Sequence, residues 1–268
     1  MITRIVSALI ALAFALPTLI YLGEEGTHIL VFLVAIFGAG EYLKMVAPDE
    51  KKIWPIFHFV SFLFLFTLIY LDPSHFLPIL GLLSLVLFSG ALFLVPDTNK
   101  GFEVLSRLGA GLLYLPFQLS FLIKIREVDE ELGLYWIFLV LLSTWSADSG
   151  AYFAGRAFGK NKLFPRVSPK KTWEGVFGGI LLAMVVAVAF LHWFQPETKF
   201  YHGIAIGAIL AIVSVVGDLV ESLIKRSTGV KDSGSILPGH GGVLDRVDSI
   251  LFTAPVTFLY LKYILEVV

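Results

Sequence analysis

The chain has 268 residues, 57% of them hydrophobic and only 15% charged, and its mean hydropathy is +0.85. A soluble domain carries about 25% charged and about 45–50% apolar residues, so a soluble globule is excluded and an all-α, polytopic integral membrane protein is expected. The net charge of −1 favours no charged partner, and the absence of cysteine excludes disulfides, thiolate metal sites and a Cys nucleophile.

In chain order the sequence shows about nine apolar segments of roughly 18–23 residues, the length that crosses a ~30 Å hydrocarbon core. They run approximately over 5–22, 28–46, 53–71, 76–95, 106–125, 133–154, 175–194, 203–224 and 249–266. The first follows MITR as a signal peptide would. Its apolar run is long and no clear Ala-x-Ala site follows, so it reads as a retained span. The fifth is the most diluted, by Arg107, Gln118 and Ser120. The whole reads as one membrane domain over 1–268, with N-terminal spans to 130 and the chemistry-bearing spans and loops over 131–268.

Carboxylates interrupt these apolar runs. Asp148 and Asp218 fall within spans and Asp248 sits at the edge of the last. A carboxylate deep in a span costs ~2.5–3.5 kcal/mol, so it is expected to face a cavity and a partner. Glu41 in the second span is either a carboxylate of the same kind or a polar group for helix packing, and the second reading is preferred. Gly175/Gly179 and Gly203/Gly207 have the spacing of close helix pairs, a weak sign of dimerisation.

The connections set the orientation. With a cytoplasmic N-terminus, Lys124, Arg126, Lys199 and Lys262 fall on the far side and the rest of the 20 Lys and Arg, Arg4 included, on the near side. The positive-inside rule therefore places the 155–174 and 225–248 loops in the cytoplasm. No repeat is evident, and no soluble segment is large enough to stand alone.

Two stretches carry candidate chemistry. In GRAFGKNKLFPRVSPKKTWEG, Ser168-Pro169 predicts an N-cap with Pro at the first helical position. Lys170, Lys171 and the free amides of that turn then face an anion, with Thr172 beside them. A basic loop of this kind also serves as a plain topology anchor. Its glycines and its Ser-Pro-Lys-Lys run argue for more. In SLIKRSTGVKDSGSILPGHGGVLDRVD, spanning 222–248, Lys225, Arg226 and Lys231 supply charge for phosphate. Gly241 and Gly242 allow close backbone approach, and His240 reads as a turn or phosphate contact. Asp218, Glu221, Ser222 and Lys225 stand at i, i+3, i+4 and i+7, on one helix face. Asp245 and Asp248, three apart at a helix start, can share a divalent cation with Asp218, and Asp148 and Glu221 are weaker candidates for a second one. Arg246 reads as a phosphate contact or as the group orienting its acidic neighbours.

The 222–248 stretch resembles the pattern of the phosphatidate cytidylyltransferases, also called CDP-diacylglycerol synthases. That pattern is Ser-x-x-Lys-Arg, four residues, Lys-Asp, then Pro-x-His-Gly-Gly and Asp-Arg-x-Asp. It is met by Ser222, Lys225, Arg226, Lys231, Asp232, Pro238, His240, Gly241, Gly242, Asp245, Arg246 and Asp248. The same family carries a run similar to Ser168, Pro169, Lys170, Lys171, Thr172, Glu174 and Gly175, preceded by an acid like Asp148. The resemblance is specific over about 143–250 and rests only on apolar character before that.

The resemblance implies a nucleotidyltransferase of a bacterial-type inner membrane, its site facing the cytoplasm. It moves a cytidylyl group from CTP to phosphatidate, giving CDP-diacylglycerol and pyrophosphate. Asp218, Asp245 and Asp248 are expected to hold Mg²⁺. Asp218, Asp245, Asp248, Lys225 and Arg246 are the catalytic candidates. Ser168, Lys170, Lys171, Thr172, Ser222, Arg226, Lys231, His240, Gly241 and Gly242 are the substrate-binding ones. The expected partners are CTP, phosphatidate, the bilayer and, on resemblance alone, a second copy in a homodimer, with no nucleic acid. Rival readings are another CTP-using lipid kinase and an ion-coupled transporter. The transporter predicts inverted repeats and lacks large Gly- and Lys-rich loops.

Overall fold

The computed structural model describes residues 2–71, 76–95, 97–129 and 131–267. The side chain of Arg4, counted above among the cytoplasmic cations, lies outside that description. Apolar runs bounded by Gly, Pro and charged turns become helices: α1 (Ile2–Tyr21), α2 (Gly23–Val46), α3 (Trp54–Tyr70), α4 (Phe76–Leu94), α5 (Gly101–Tyr114), α6 (Pro116–Arg126), α7 (Leu132–Phe158), α8 (Trp173–Phe194), α9 (Phe200–Ser227) and α10 (Leu244–Tyr263). A short antiparallel hairpin, β1 (Lys162–Phe164) with β2 (Ser168–Thr172), joins α7 to α8.

Helices stand at every apolar segment read from the sequence. Six stretches among the described residues are long and apolar enough to cross a membrane, rather than nine: Gly23–Val46, Lys51–Tyr70, Thr98–Arg126, Leu132–Phe158, Trp173–Phe194 and Phe200–Ser227. The shorter Val6–Tyr21 and Pro78–Leu94 are also apolar. The first turns of α10 carry Asp245, Arg246 and Asp248, which lower its apolar content. The diluted fifth segment is two helices. Pro116 has no amide to continue the ladder, so α5 ends at Tyr114 and α6 starts afresh.

The chain packs as two compact units, Met1–Ile123 with Asp232–Asp245, and Lys124–Lys231 with Arg246–Val268. In the first, Phe57, Leu108 and Leu115 are fully buried. The Tyr42 hydroxyl donates to the Arg107 carbonyl at 2.8 Å, and Arg107 Nη1 donates to the Val46 carbonyl at 2.6 Å, tying α2 to α5.

In the second unit α7, α8 and α9 run antiparallel in turn at very close range. A Cβ on Gly179 would meet the Ala147 carbonyl oxygen at 2.6 Å, and one on Gly207 would meet that of Ala183 at 2.7 Å. Both glycine pairs with the four-residue spacing are thus used inside the chain, so they give no support to a dimer face. Close backbone approach supplies the dispersion contacts that hold helices together where lipid removes the hydrophobic drive. α10 joins the group through the Ser249 hydroxyl, which donates to the Ser214 carbonyl at 3.1 Å, and through Thr144 and Thr253, 3.2 Å apart.

Candidate active site

The antiparallel order puts the end of α7, the start of α8 and the end of α9 on one side. Asp148 stands ten residues before the end of α7 and Asp218 nine before the end of α9. At 1.5 Å per residue both lie roughly 14–15 Å in from those ends, at matched depth. Asp148, Ala151, Tyr152, Gly155 and Arg156 share one face of α7 by their 3.6-residue period. That face lines a cavity of about 400 Å³, completed by Lys170, Lys171, Thr172, Gly175, Val176, Val215 and Asp218.

The hairpin decides how the lysines reach this cavity. Ser168-Pro169 does not start a helix. Ser168–Thr172 is extended and pairs with β1, and α8 begins at Trp173. The cap is Thr172, whose Oγ1 accepts the Gly175 amide at 3.2 Å. Glu174 turns back to accept the Asn161 amide at 3.1 Å and its side-chain Nδ2 at 2.7 Å, which fixes the base of the hairpin. The late start places α8 level with Ala151, short of the end of α7, so β2 lies against the last turns of α7. Gly155 and Gly159 make room there for Thr172. The anion-facing helix turn expected around Lys170 and Lys171 is therefore a strand, and the lysine side chains take its place.

Lys171 Nζ lies 2.8 Å from Asp218 Oδ2, and the Ser222 hydroxyl donates to Asp218 Oδ1 at 3.2 Å. Asp148 and Asp248 are near enough to Asp218 for their charges to act on one another, and Lys171 and Arg246 act on Asp148. One turn further along α9, Lys225 and Glu221 form an ion pair and are almost fully buried. The expected helix face is thus real, but its Lys225 neutralises Glu221 rather than standing open to an anion, and it acts on Asp248 from there. Arg226 Nη1 donates to the Val230 carbonyl at 2.9 Å and shapes the turn after α9, while Lys231 is exposed.

The other unit holds a second acidic cluster. Asp245 Oδ2 accepts the Gly242 amide at 2.7 Å, the Ser233 amide at 3.0 Å and the Ser233 hydroxyl at 2.9 Å. His240 donates its amide to the Leu237 carbonyl, and its Nδ1 lies 2.7 Å from the Ser7 hydroxyl, so it is a turn residue. Glu41 is not a mere packing group. It accepts the Val243 and Leu244 amides at 3.0 and 2.9 Å and lies 3.2 Å from the Ser233 hydroxyl.

Among the described residues no group of three or more acidic or histidine side chains is gathered closely enough to hold a metal ion on its own. Within its own unit Asp245 is turned onto the Ser233 and Gly242 amides. Mg²⁺ is commonly held by one or two carboxylates with substrate phosphates and water. Asp148 and Asp218 at the cavity, with Asp248 nearby, fit that mode.

Sequence reasoning missed Tyr152 and Arg156 as cavity residues, although their i+4 and i+8 spacing from Asp148 signals the shared face. It also missed Ser233 and the role of Glu41. No local pattern links positions 41 and 233.

Fold and cavity together define a helical membrane protein with a mixed-charge pocket suited to phosphate esters. The chain belongs to the Cytidylyltransferase family, whose model matches residues 2–264. It is 33% identical over 274 residues to the phosphatidate cytidylyltransferase of Thermotoga maritima, covering 99% of this chain and 98% of that protein. It is 37% identical over 260 residues to that of Pseudomonas aeruginosa, covering 94% of each. With that of Bacillus subtilis it shares 47% identity over 148 residues, 55% of this chain and about half (54%) of the length of that relative.

Proposed function

We infer that the chain is a membrane nucleotidyltransferase that transfers a cytidylyl group from CTP to phosphatidate, giving CDP-diacylglycerol and pyrophosphate. The observation that carries the reading is the cavity in which Lys171 meets Asp218 beside Asp148, Lys170 and Arg156. A phosphate oxygen of phosphatidate attacks the α-phosphorus of CTP in line. A new P–O bond forms, the bond to the bridging oxygen of the β-phosphate breaks, and pyrophosphate leaves with the electron pair. The nucleophile is already anionic, so no protein nucleophile or strong base is needed. Positioning and charge neutralisation remain as the work of the protein.

Lys170, Lys171 and Arg156 supply the positive charge for the phosphates. Lys171 is already held at the cavity by Asp218, so less side-chain entropy is lost when it meets them. Asp218 and Asp148, with Asp248, are the groups that would hold Mg²⁺, which when bound neutralises phosphate charge. The exposed apolar surface of Tyr152, Phe153 and Phe177 near the cavity suits the acyl chains, which stay in the bilayer.

Two finer statements belong to the same proposal. The near-side excess of Lys and Arg puts the cavity on the cytoplasmic side, where nucleotides are found. Reporter fusions in the β1–β2 hairpin that are active only outside the cytoplasm would contradict that side. A homodimer rests on the family resemblance, and a monomeric mass in detergent would remove it. The reaction itself is tested by incubating the purified protein with labelled CTP and phosphatidate. Release of pyrophosphate supports the transfer, whereas release of CDP would indicate a kinase.

A further inference from the structure

We propose that Glu41 is a positioning residue for this reaction, acting from α2 on the turn that carries Asp245. The proposal rests on the cytidylyltransferase reading above. Glu41 is 1% exposed on α2, and among the described residues its partners are neutral: the Val243 amide, the Leu244 amide and the Ser233 hydroxyl. Burying a carboxylate is costly unless its lone pairs are filled, and here an amide donates to each of its two oxygens, with the Ser233 hydroxyl beside Oε2. Both amides can only donate, one to each oxygen, so the position calls for an acceptor-only group. A Gln would set its own N–H groups against one of them.

The turn is shaped around this carboxylate. A Cβ on Gly234 would lie 2.3 Å from Glu41 Oε1, and one on Gly242 would lie 2.4 Å from Oε2 and 2.1 Å from Ser233 Oγ. A Cβ on Gly241, which has φ +83°, would lie 2.5 Å from Asp245 Oδ2. The glycines read from the sequence as room for a ligand therefore make room for the two carboxylates of the protein itself. Ser233 joins them, its Oγ lying 3.2 Å from Glu41 and 2.9 Å from Asp245. A hydroxyl has one proton to give, so whichever carboxylate takes it alters the hydrogen bonding of the other. Glu41 thus fixes the start of α10 through two amides and the orientation of Asp245 through Ser233.

A plain structural cap and a positioning residue differ in what they move. The test uses the full-length protein in detergent with CTP and phosphatidate, comparing Glu41→Gln, Ser233→Ala and the double variant. Glu41→Gln is expected to lower kcat about 10-fold or more while KM for CTP stays within about 3-fold. Ser233→Ala should lower kcat about 3-fold at unchanged KM, and the double variant should lose less than the product of the two single losses, because both changes act on the orientation of Asp245. Glu41→Gln with wild-type kcat per folded molecule and only a lower unfolding temperature would overturn the proposal. So would losses that multiply in the double variant. Where Glu41→Gln is not recovered folded, Ser233→Ala decides alone, and wild-type kcat in that variant counts against the role. A wild-type protein that releases no pyrophosphate from CTP would instead remove the functional reading, and this inference with it.

Discussion

The lysine-paired acids fall in one unit, and the amide-held Glu41 and Asp245 in the other. In the unit of Lys124–Lys231 and Arg246–Val268, carboxylates meet lysines, Asp218 with Lys171 and Glu221 with Lys225. In the unit of Met1–Ile123 and Asp232–Asp245, Glu41 and Asp245 meet amides and a hydroxyl. A lysine is a movable counter-charge that an arriving phosphate can share. A backbone amide is fixed in place and holds its acceptor still. The first arrangement suits groups that exchange partners during a reaction, and the second suits groups that fix geometry.

Breaking the most buried of the lysine pairs gives the largest expected effect. Lys225→Ala leaves Glu221 charged and without its ion-pair partner in a buried site, and should cost about 3–5 kcal/mol of stability. Thermal unfolding in detergent checks it. The double change Glu221→Gln with Lys225→Met should recover most of the loss, because both charges leave together. Full instability of the double variant would mean that the pair is needed for more than mutual neutralisation.

Next is the cavity carboxylate. Asp218→Asn keeps size and removes charge, and should lower turnover on the order of 10²-fold with little change in folding. Asp148→Asn and Asp248→Asn should lose comparably. The measurement is turnover against Mg²⁺ concentration. Near-wild-type turnover without divalent ion in any two of the three would end the metal proposal.

A smaller effect is expected from the partner of Asp218. Lys171→Ala should raise KM for CTP about 10-fold while the protein stays folded, and Lys171→Arg should lose less, although its fork differs in geometry. Unchanged CTP dependence in both Lys170→Ala and Lys171→Ala would return the hairpin to a topology anchor.

The smallest effect belongs to an acid held by amides in the turn before α7. Asp129 Oδ1 accepts the Leu132 and Glu131 amides at 2.9 Å each, and these hold its carboxyl below the usual range. A lowered folded pKa gives a contribution present above the unfolded value and lost as pH falls through the folded one. Asp129→Ala should therefore slightly lower the unfolding temperature at neutral pH, lose that difference in acid, and leave kcat unchanged. A changed kcat would show that fixed acids outside the site also bear on the reaction.

Much of this was legible in the chain itself. Long apolar runs set the helices, since a span must satisfy its own backbone. The period of α9 placed Asp218, Glu221, Ser222 and Lys225 on one face. The fixed positions of the 168–175 and 222–248 runs carried the family. What those residues touch was less legible. Ser168-Pro169 has the local signature of a helix start, yet Thr172 caps α8 and β1 draws the preceding residues into a strand. A local signature loses when a neighbouring segment offers better hydrogen bonds.

The sequence by itself determined that the protein is a helical membrane protein of the Cytidylyltransferase family, because hydropathy and residue order are local properties. Only the tertiary structure decided which carboxylate meets which donor. Lys171 turns to Asp218, and Glu41 reaches a turn some 200 residues away, 192 positions from Ser233 and 203 from Leu244. Such pairings depend on helix depth and on where glycines let backbones close in, which residue spacing along the chain does not encode.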